Sequence, residues 1–269
     1  MPMPDSFRAM HRPGDPFILA NAWDAGSAKM LVAMGAKAIA TSSAAHAFTL
    51  GRPDAGTITR DEALAHAQDL MAAVNVPVSG DFENGFGEAP ETCAETVRLA
   101  AEIGLAGICI EDTALPGSAP YDAALAAERI RAAASAARAL PGDFFLVARA
   151  DGILTGHYDT EEAIARIQAF ESAGADGVYV PGPPSMAALG RLVKATGLPF
   201  NALVSGPFAN HARADFAALG VARLSLGSAL ARATYRTIHT AGEAMFGTQG
   251  RFDTLTTGLP FDVLNPMLK

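Results

Sequence analysis

The chain has 269 residues, half of them apolar, and its net charge at pH 7 is -8. Its lysines and arginines are scattered singly, which argues against a nucleic acid or an anionic membrane as a partner. Every apolar run is interrupted before the roughly 18 residues that a membrane-spanning helix needs, and residues 1–5 lack the order of a signal peptide. Because only Cys93 and Cys109 are present, without zinc-ligand spacing, we expect a cytoplasmic protein without a disulfide framework.

A pattern of helix, glycine-containing turn and short apolar run recurs along the chain. Each copy predicts a helix closed by glycine and followed by a buried strand. The copies lie at residues 31–42, 99–112, 170–182 and 216–227. Four further apolar runs predict strands at Phe17–Asn21, Val76–Gly80, Phe144–Ala148 and Leu198–Leu203. Alanine-rich stretches between strands predict helices at Asp61–Ala73, Pro90–Ile103, Tyr121–Leu140 and Glu161–Ala173.

Regular alternation of strands and helices indicates a parallel sheet, because parallel neighbours need crossover helices. Eight such units in about 250 residues predict one (β/α)₈ barrel domain over residues 1–269. An open, doubly wound sheet is the alternative, but no Gly-x-Gly-x-x-Gly turn follows the first strand. The longest connections, at residues 43–60, 112–120 and 151–160, all follow strands, which is where a barrel of this kind carries its active site.

Acidic residues gather at the predicted ends of the third and fourth strands. Asp81 and Glu83 end one strand, Glu111 and Asp112 end the next, and Arg149 ends the fifth. Asp81 and Glu83 point the same way in an extended chain and can present hard oxygens to one cation. Oxygen ligands favour Mg²⁺, or Mn²⁺, over zinc. The fork of Arg149 suits a substrate carboxylate or an enolate oxygen, so the predicted ligand is a small polyanion.

Several of these side chains have a plainer structural interpretation. Asp112 and Asp151 are also expected as helix caps or ion-pair partners of Arg149, and Glu111 as a structural partner of the same arginine. Trp23 is a substrate contact or a packing residue. Cys109 is expected to be a small residue of the core. His46 and His157 lie in long connections, where each either transfers protons or is an ordinary surface histidine.

Taken in order, these strand ends resemble those of the isocitrate lyase/phosphoenolpyruvate mutase superfamily over nearly the whole chain. The stretches that carry the resemblance are NAWDAGSAKML (21–31), TSSA (41–44), LGRPD (50–54), DFENGFG (81–87), GICIEDT (107–113) and ARADG (148–152). The resemblance implies a (β/α)₈ barrel whose last helix is exchanged between subunits of a dimer or, more usually, a tetramer. Ser228–Met245 would be that helix, within a C-terminal helical segment at residues 228–269.

The same resemblance implies roles for individual residues. Asp81 would bind Mg²⁺ directly, with Glu83 and Glu111 acting through bound water and Asp54 lying near the metal. Arg149 would bind the 2-oxo acid or its enolate. The remaining substrate-binding positions are Ser42, Ser43 and Asn201.

One departure from the family pattern bears on the reaction. Isocitrate and methylisocitrate lyases carry a Lys-Lys-Cys-Gly-His type of loop after the fourth strand, whereas residues 113–122 here read TALPGSAPYD. We therefore expect a Mg²⁺-dependent lyase that cleaves a carbon–carbon bond of a 2-oxo or 2-hydroxy di- or tricarboxylate through a pyruvate-like enolate. Oxaloacetate decarboxylation is one candidate, since it tolerates the missing cysteine better than aldol-type cleavage of methylisocitrate or dimethylmalate. The alternatives are phosphorus–carbon chemistry on a phosphonate, and a 2-oxo-acid-binding protein with little turnover.

Overall fold

The computed structural model describes residues 6–269, and within them eight parallel strands close into a barrel in chain order. The strands are β1 (Phe17–Asn21), β2 (Ile39–Ala40), β3 (Val78–Asp81), β4 (Gly107–Glu111), β5 (Phe145–Arg149), β6 (Gly177–Tyr179), β7 (Phe200–Leu203) and β8 (Arg223–Ser225). The α-helices are α1 (Ala25–Ala33), α2 (Ser43–Thr49), α3 (Arg60–Ala73), α4 (Pro90–Glu102), α5 (Ala123–Arg138), α6 (Gly152–Thr155), α7 (Thr160–Ala173), α8 (Met186–Lys194), α9 (Arg213–Ala218), α10 (Ala229–Phe246) and α11 (Phe261–Met267). Short 3₁₀ helices lie at Arg8–Met10, Gly206–Asn210 and Asp253–Thr257. The predicted (β/α)₈ barrel is confirmed.

Local sequence signals set the ends of several helices. Asp24 caps α1 by accepting the backbone N–H of Ser27, and Thr59 caps α3 in a reciprocal arrangement with Glu62. Gly174 ends α7 with φ of 97°, a conformation that a residue with a Cβ adopts only under strain. These signals place each helix so that the next strand can return to the barrel.

The strands separate two apolar cores. Ile108, Ile110 and Leu146 point outward and pack with the helices in the larger core. Phe145 and Val147 point inward and pack in the smaller core inside the barrel. Side chains alternate between the two faces along a strand. Glu111 and Arg149, the last residues of β4 and β5, therefore point inward as well.

The segment before β1 covers the amino ends of the strands. Phe7 and His11 are both buried, and the His11 ring stacks on Phe145 with centroids 3.8 Å apart. The Nδ1 atom of His11 lies 2.9 Å from the carbonyl oxygen of Phe7. Burial, and next the positive charge of Arg223, lowers the pKa of His11 from 6.5 to about 3.

His11 should make the protein less stable in mild acid. The unfolded chain takes up the proton near pH 6.5 and the folded chain only near pH 3, so this contribution to stability is lost as pH falls through that window. Urea unfolding at about pH 6.5 and about pH 5 should show a decrease on the order of 1.5 to 2 kcal/mol from this group. His11→Asn should remove that part of the decrease, whereas His157→Asn, at an exposed position, should not. Equal pH slopes for wild type and His11→Asn would contradict the assignment.

The connection after β2 differs from the sequence-based prediction. Residues 43–60, expected as a long loop, begin with the helix α2, which Ser42 caps by accepting the N–H of Ala45. In the C-terminal region, α10 leaves large apolar side chains in solvent, with Ile238 64% and Phe246 89% exposed. The use of residues 228–269 in oligomerisation stays a prediction.

Across residues 6–269, no helix combines the length and the apolar character needed to cross a membrane. The expectation about a signal peptide at residues 1–5 concerns positions outside the described residues.

Candidate active site

The carboxyl ends of β3, β4 and β5 bring three charged side chains to one rim of the barrel. Asp81, Glu111 and Arg149 are the last residues of their strands. Glu111 and Arg149 are directly paired in the register of β4 and β5. The rim at the carboxyl ends of the strands is where barrels of this type carry their chemistry.

Arg149 lies at the centre of an ion-pair network. Its Nη1 is 2.8 Å from Oδ1 of Asp81, and its Nη2 is 3.1 Å from Oε2 of Glu111. Asp151 accepts two further hydrogen bonds, from Nε at 3.2 Å and from Nη2 at 2.6 Å. The arginine side chain is only 11% exposed. One guanidinium therefore balances three carboxylates in a largely desolvated site.

The carboxylate of Asp81 is held by both of its oxygens. Oδ2 accepts the backbone N–H and the hydroxyl of Ser43, each at 3.0 Å, at the start of α2. Oδ1 faces Arg149 and also the thiol of Cys109, whose Sγ is 3.5 Å away. The backbone N–H of Asp81 donates to Oγ1 of Thr41 at 2.7 Å. These contacts hold the carboxylate in one orientation at the rim.

Glu83 is a buried acid with an unusual backbone. Its φ is 45°, in the left-handed region, and its side chain accepts the N–H of Gly56 at 3.1 Å. Burial is the main cause that raises the pKa of Glu83 to about 7, and the nearby charges of Asp81 and Asp54 add to it. Such a group is half protonated near neutral pH, so a cation would compete with the proton for it.

Two other acids at the rim also have raised pKa values. Burial raises the pKa of Glu111 well above its ordinary value, against the opposing attraction of Arg149. Asp54 lies at the mouth, where partial shielding from water is the first cause that raises its pKa and the charge of Asp81 contributes further. Its Oδ1 accepts the N–H of Ala55 at 2.8 Å. The rim therefore carries more acid than its arginine neutralises.

The other residues predicted to bind substrate are not equally placed. Ser42, Ser43 and Asn201 line the central cavity together with Asp54, Asp81 and Arg149. Trp23 is half-buried next to α1 and is not among the residues that line this cavity. Glu83 lines a neighbouring cleft. Glu111 contacts Arg149 but is not among the residues that line the central cavity. The individual roles of all these residues stay predictions.

The central cavity measures about 250 Å³ and continues from the rim down into the barrel. Small side chains on the inner face of the strands, such as Ala40, Ser79 and Cys109, leave this space open. Arg223, at the start of β8 and next to His11, also lines it. A volume of this size suits a substrate of few carbon atoms.

The acids fit a cation held mainly through water. Within residues 6–269, no three His, Cys, Asp or Glu side chains are placed to bind one ion together. Asp54, Asp81, Glu83 and Glu111 nevertheless bring carboxylate oxygens near the rim, and a divalent cation there would offset the burial that raises the pKa of Glu83 and of Glu111. Mg²⁺ keeps several waters when it binds, so one direct carboxylate with others in the outer sphere suits it.

Sequence reasoning missed two features of the site and left a third open. Asp151, weighed as a cap or as a partner of Arg149, makes the bidentate pair, while Asp112 instead pairs with Arg166 at 3.1 Å. Cys109, expected in the core, lines the cavity. Arg223 was not recognised, although it shares the inward parity of Ser225 on a strand that the sequence did predict.

The sequence pattern of the phosphoenolpyruvate phosphomutase family matches residues 7–246 of this chain. The chain belongs to that family, and it is an enzyme of the isocitrate lyase/phosphoenolpyruvate mutase superfamily, as the sequence resemblance predicted. An uncharacterised protein of Mycobacterium tuberculosis is 36% identical over 246 residues, covering 91% of this chain and 90% of that protein. An oxaloacetate decarboxylase of Pseudomonas savastanoi is 30% identical over 223 residues, covering 80% and 75%.

Solved structures show the same barrel. A Burkholderia cenocepacia protein described as a lyase or mutase is 43% identical, with a TM-score of 0.91 and coverage of 97% of this chain and 94% of that one. A phosphonopyruvate hydrolase solved with oxalate and Mg²⁺ is 22% identical, with a TM-score of 0.83 and coverage of 97% and 93%. At 22% identity, the likeness to the phosphonopyruvate hydrolase shows the fold alone.

Proposed function

We propose that this enzyme is a Mg²⁺-dependent lyase that cleaves a carbon–carbon bond of a 2-oxo or 2-hydroxy di- or tricarboxylate through an enolate, which is pyruvate-like when the substrate is a 2-oxo acid. The observation that carries the proposal is the contact of Arg149 with Asp81, Glu111 and Asp151 at the mouth of a small cavity. The similarity to an oxaloacetate decarboxylase over most of the chain supports it.

In this proposal Asp81 would hold the cation, with Glu83 and Glu111 acting through bound water. When bound, Mg²⁺ would supply positive charge to the enolate oxygen. Ser43 orients the carboxylate of Asp81 by donating two hydrogen bonds to its Oδ2. These bonds form within the protein, so the carboxylate is oriented before a substrate binds. Asp54 lies at the mouth of the cavity, where the negative charges of Asp81 and Asp151 contribute to its raised pKa.

Arg149 would orient the carboxylate or enolate oxygen of the substrate while Asp151 and Glu111 keep its guanidinium in place. Ser42, Ser43 and Asn201 provide neutral hydrogen-bond groups on the cavity wall. In the decarboxylation route, the bond to the leaving carboxylate breaks, CO₂ departs, and the electron pair remains as an enolate that is then protonated to a 2-oxo acid. In the cleavage of a 2-hydroxy acid, the hydroxyl proton is lost and the bond between C2 and C3 breaks. C2 becomes the carbonyl carbon of a 2-oxo acid, and the electron pair passes to the departing carboxylate fragment, which is then protonated.

The connection after β4 would cover the site from above. Residues 113–122 contain no Cys, Lys or His. Ser118 in this connection lies 3.1 Å from Nε2 of His157, which follows β5. This contact ties the two long connections of the active face together and brings one imidazole to them.

Turnover should require Mg²⁺ and an acid with a 2-oxo or 2-hydroxy group. The test is a panel of oxaloacetate, methylisocitrate, dimethylmalate and phosphonopyruvate, each incubated with and without Mg²⁺ and followed by NMR for pyruvate or another 2-oxo acid. We expect turnover of a carboxylate substrate that disappears with a chelator and returns with added Mg²⁺. Binding of these acids by calorimetry with no product in any reaction would instead support a binding protein.

Phosphorus–carbon chemistry is the second candidate, and the match to the phosphoenolpyruvate phosphomutase family favours it. The same panel separates it from the lyase. Release of inorganic phosphate from phosphonopyruvate, or its conversion to an isomer, with no reaction of the three carboxylate substrates would replace the proposed lyase by this activity.

A further inference from the structure

Arg223 is a buried cation without an acidic partner among the described residues 6–269. It lies on β8 with its side chain inside the barrel and is 4% exposed. Its Nε donates to Oδ1 of Asn201 at 2.8 Å, and its Nη1 is 3.4 Å from Nε2 of His11. Among residues 6–269, no carboxylate lies within ion-pair distance of it. Both of its contacts are with neutral groups.

The guanidinium keeps its charge in this position. Burial lowers the pKa of Arg223 to about 10, which still leaves it protonated at neutral pH. A buried charge without a partner is unfavourable, and proteins normally supply an opposite charge or a ligand. Arg149 illustrates the usual solution, since three carboxylates surround it. Arg223 is therefore a positive charge on the cavity wall that no carboxylate of residues 6–269 balances by an ion pair.

Arg223 and Arg149 line the same cavity. The other charged groups of its wall are Asp54 and Asp81 near the rim and Arg232, which is exposed at the start of α10. Five further residues of the lining are uncharged: Ser79, Cys109, Tyr179, Asn201 and Ser225. A ligand that enters at the acidic rim can therefore reach a cation at the bottom of the same space.

We infer that Arg223 binds a second carboxylate of the substrate inside the barrel, while the 2-oxo or 2-hydroxy acid group stays at the rim. This inference rests on the proposed function and narrows its substrate class to acids with a carboxylate at each end. Asn201 is then a positioning residue, because its Oδ1 holds Nε of Arg223 and its Nδ2 donates to Ser225.

A carboxylate bound at Arg223 also restricts which bond of the substrate can break. A carboxylate paired with a guanidinium is stabilised as an ion, which opposes its loss as CO₂. The carboxylate at Arg223 is therefore one that remains in a product. Cleavage between two carboxylate-bearing fragments, as in dimethylmalate, satisfies this condition, whereas oxaloacetate would have to place its departing carboxylate elsewhere.

Arg223→Gln tests the assignment through binding. Calorimetry in saturating Mg²⁺ would compare malate, a 2-hydroxy acid with a carboxylate at each end, with oxalate, which is too short to reach beyond the rim. We expect the Kd for malate to rise about ten-fold or more and the Kd for oxalate to change by less than about two-fold. Arg223→Lys should recover part of the malate affinity. Arg98→Gln, which removes the same charge from an exposed position on α4, should change neither constant.

The outcomes separate this inference from the function on which it rests. If wild-type protein does not bind oxalate with Mg²⁺, the proposed function fails and the inference falls with it. If oxalate binds, the inference alone is overturned by any of three results: no binding of malate to wild type, unchanged malate affinity in Arg223→Gln, or equal weakening of both ligands. Thermal unfolding without ligand shows whether the variant folds, and its Tm should be at least that of wild type because an unpaired buried charge has been removed.

Discussion

Asp81→Asn should lower kcat/KM for the substrate that the panel identifies by on the order of a thousand-fold. The amide matches the carboxylate in size but lacks its charge, and its NH₂ group cannot accept hydrogen bonds. It would face either the two donors of Ser43 or the donors of Arg149 and Cys109. Steady-state kinetics over a Mg²⁺ titration would measure both the loss of rate and the weaker binding of the cation.

The matched control is Asp69→Asn, which removes one negative charge from an exposed position on α3. This variant should keep wild-type kinetics. Full activity of Asp81→Asn at ordinary Mg²⁺ concentrations would show that Asp81 does not hold the metal. Circular dichroism and the Tm of the variant distinguish a local effect from unfolding.

Arg149→Met should have two separate effects. Without Mg²⁺, it leaves Asp81, Glu111 and Asp151 as neighbouring carboxylates without their shared cation, and we expect a loss on the order of 3 to 5 kcal/mol in the free energy of unfolding. With Mg²⁺ and substrate, the loss of charge stabilisation at the enolate should lower kcat by about 10² to 10³-fold. Urea unfolding and single-substrate kinetics measure these effects independently.

The destabilisation should depend on pH in a defined direction. Burial already raises the pKa of Glu111, and removing Arg149 takes away the attraction that opposes that rise. An acid whose pKa is higher in the folded state stabilises the fold below its unfolded pKa, and that contribution is lost as pH rises through its folded pKa. The free energy of unfolding of Arg149→Met should therefore fall as pH rises above the ordinary range of a glutamate pKa, more steeply than that of wild type.

Arg149→Lys keeps the positive charge but not the fork that reaches three carboxylates at once. It should recover most of the stability and little of the rate. If Arg149→Met were as stable as wild type at about pH 8, the three carboxylates would not depend on the arginine, and the network would lose its structural role.

Most of the architecture could be predicted from the sequence because it is written in local patterns. Apolar runs of strand length, glycines that end helices and alanine-rich helical stretches alternate along the chain, and each can be recognised within about ten residues. The predicted strand Phe17–Asn21 coincides with β1, and the others lie within a few residues of their observed bounds. Asp81, Glu111 and Arg149 could be placed at one rim because parallel strands end on the same side of a barrel.

The helix α2 was missed because its signal is weak. It has seven residues, and Ser42 and Ser43 before and within it were interpreted only as substrate contacts. Its position matters for the site, since its first residue supplies two donors to Asp81. A short helix in a long connection is stabilised by what it packs against, which the local sequence does not show.

By itself the sequence determined the barrel, its active rim and the acids and arginine that end three neighbouring strands, since strand order and side-chain parity follow from residue spacing. Only the tertiary structure decided that Asp151 pairs with Arg149 while Asp112 pairs with Arg166. It also decided that Arg223 lines the cavity and that no carboxylate in the described part of the chain forms an ion pair with it. Ion pairs join residues that are far apart in the chain, and they depend on the positions of side chains to within a few ångströms. The spacing of residues along a strand does not contain this information.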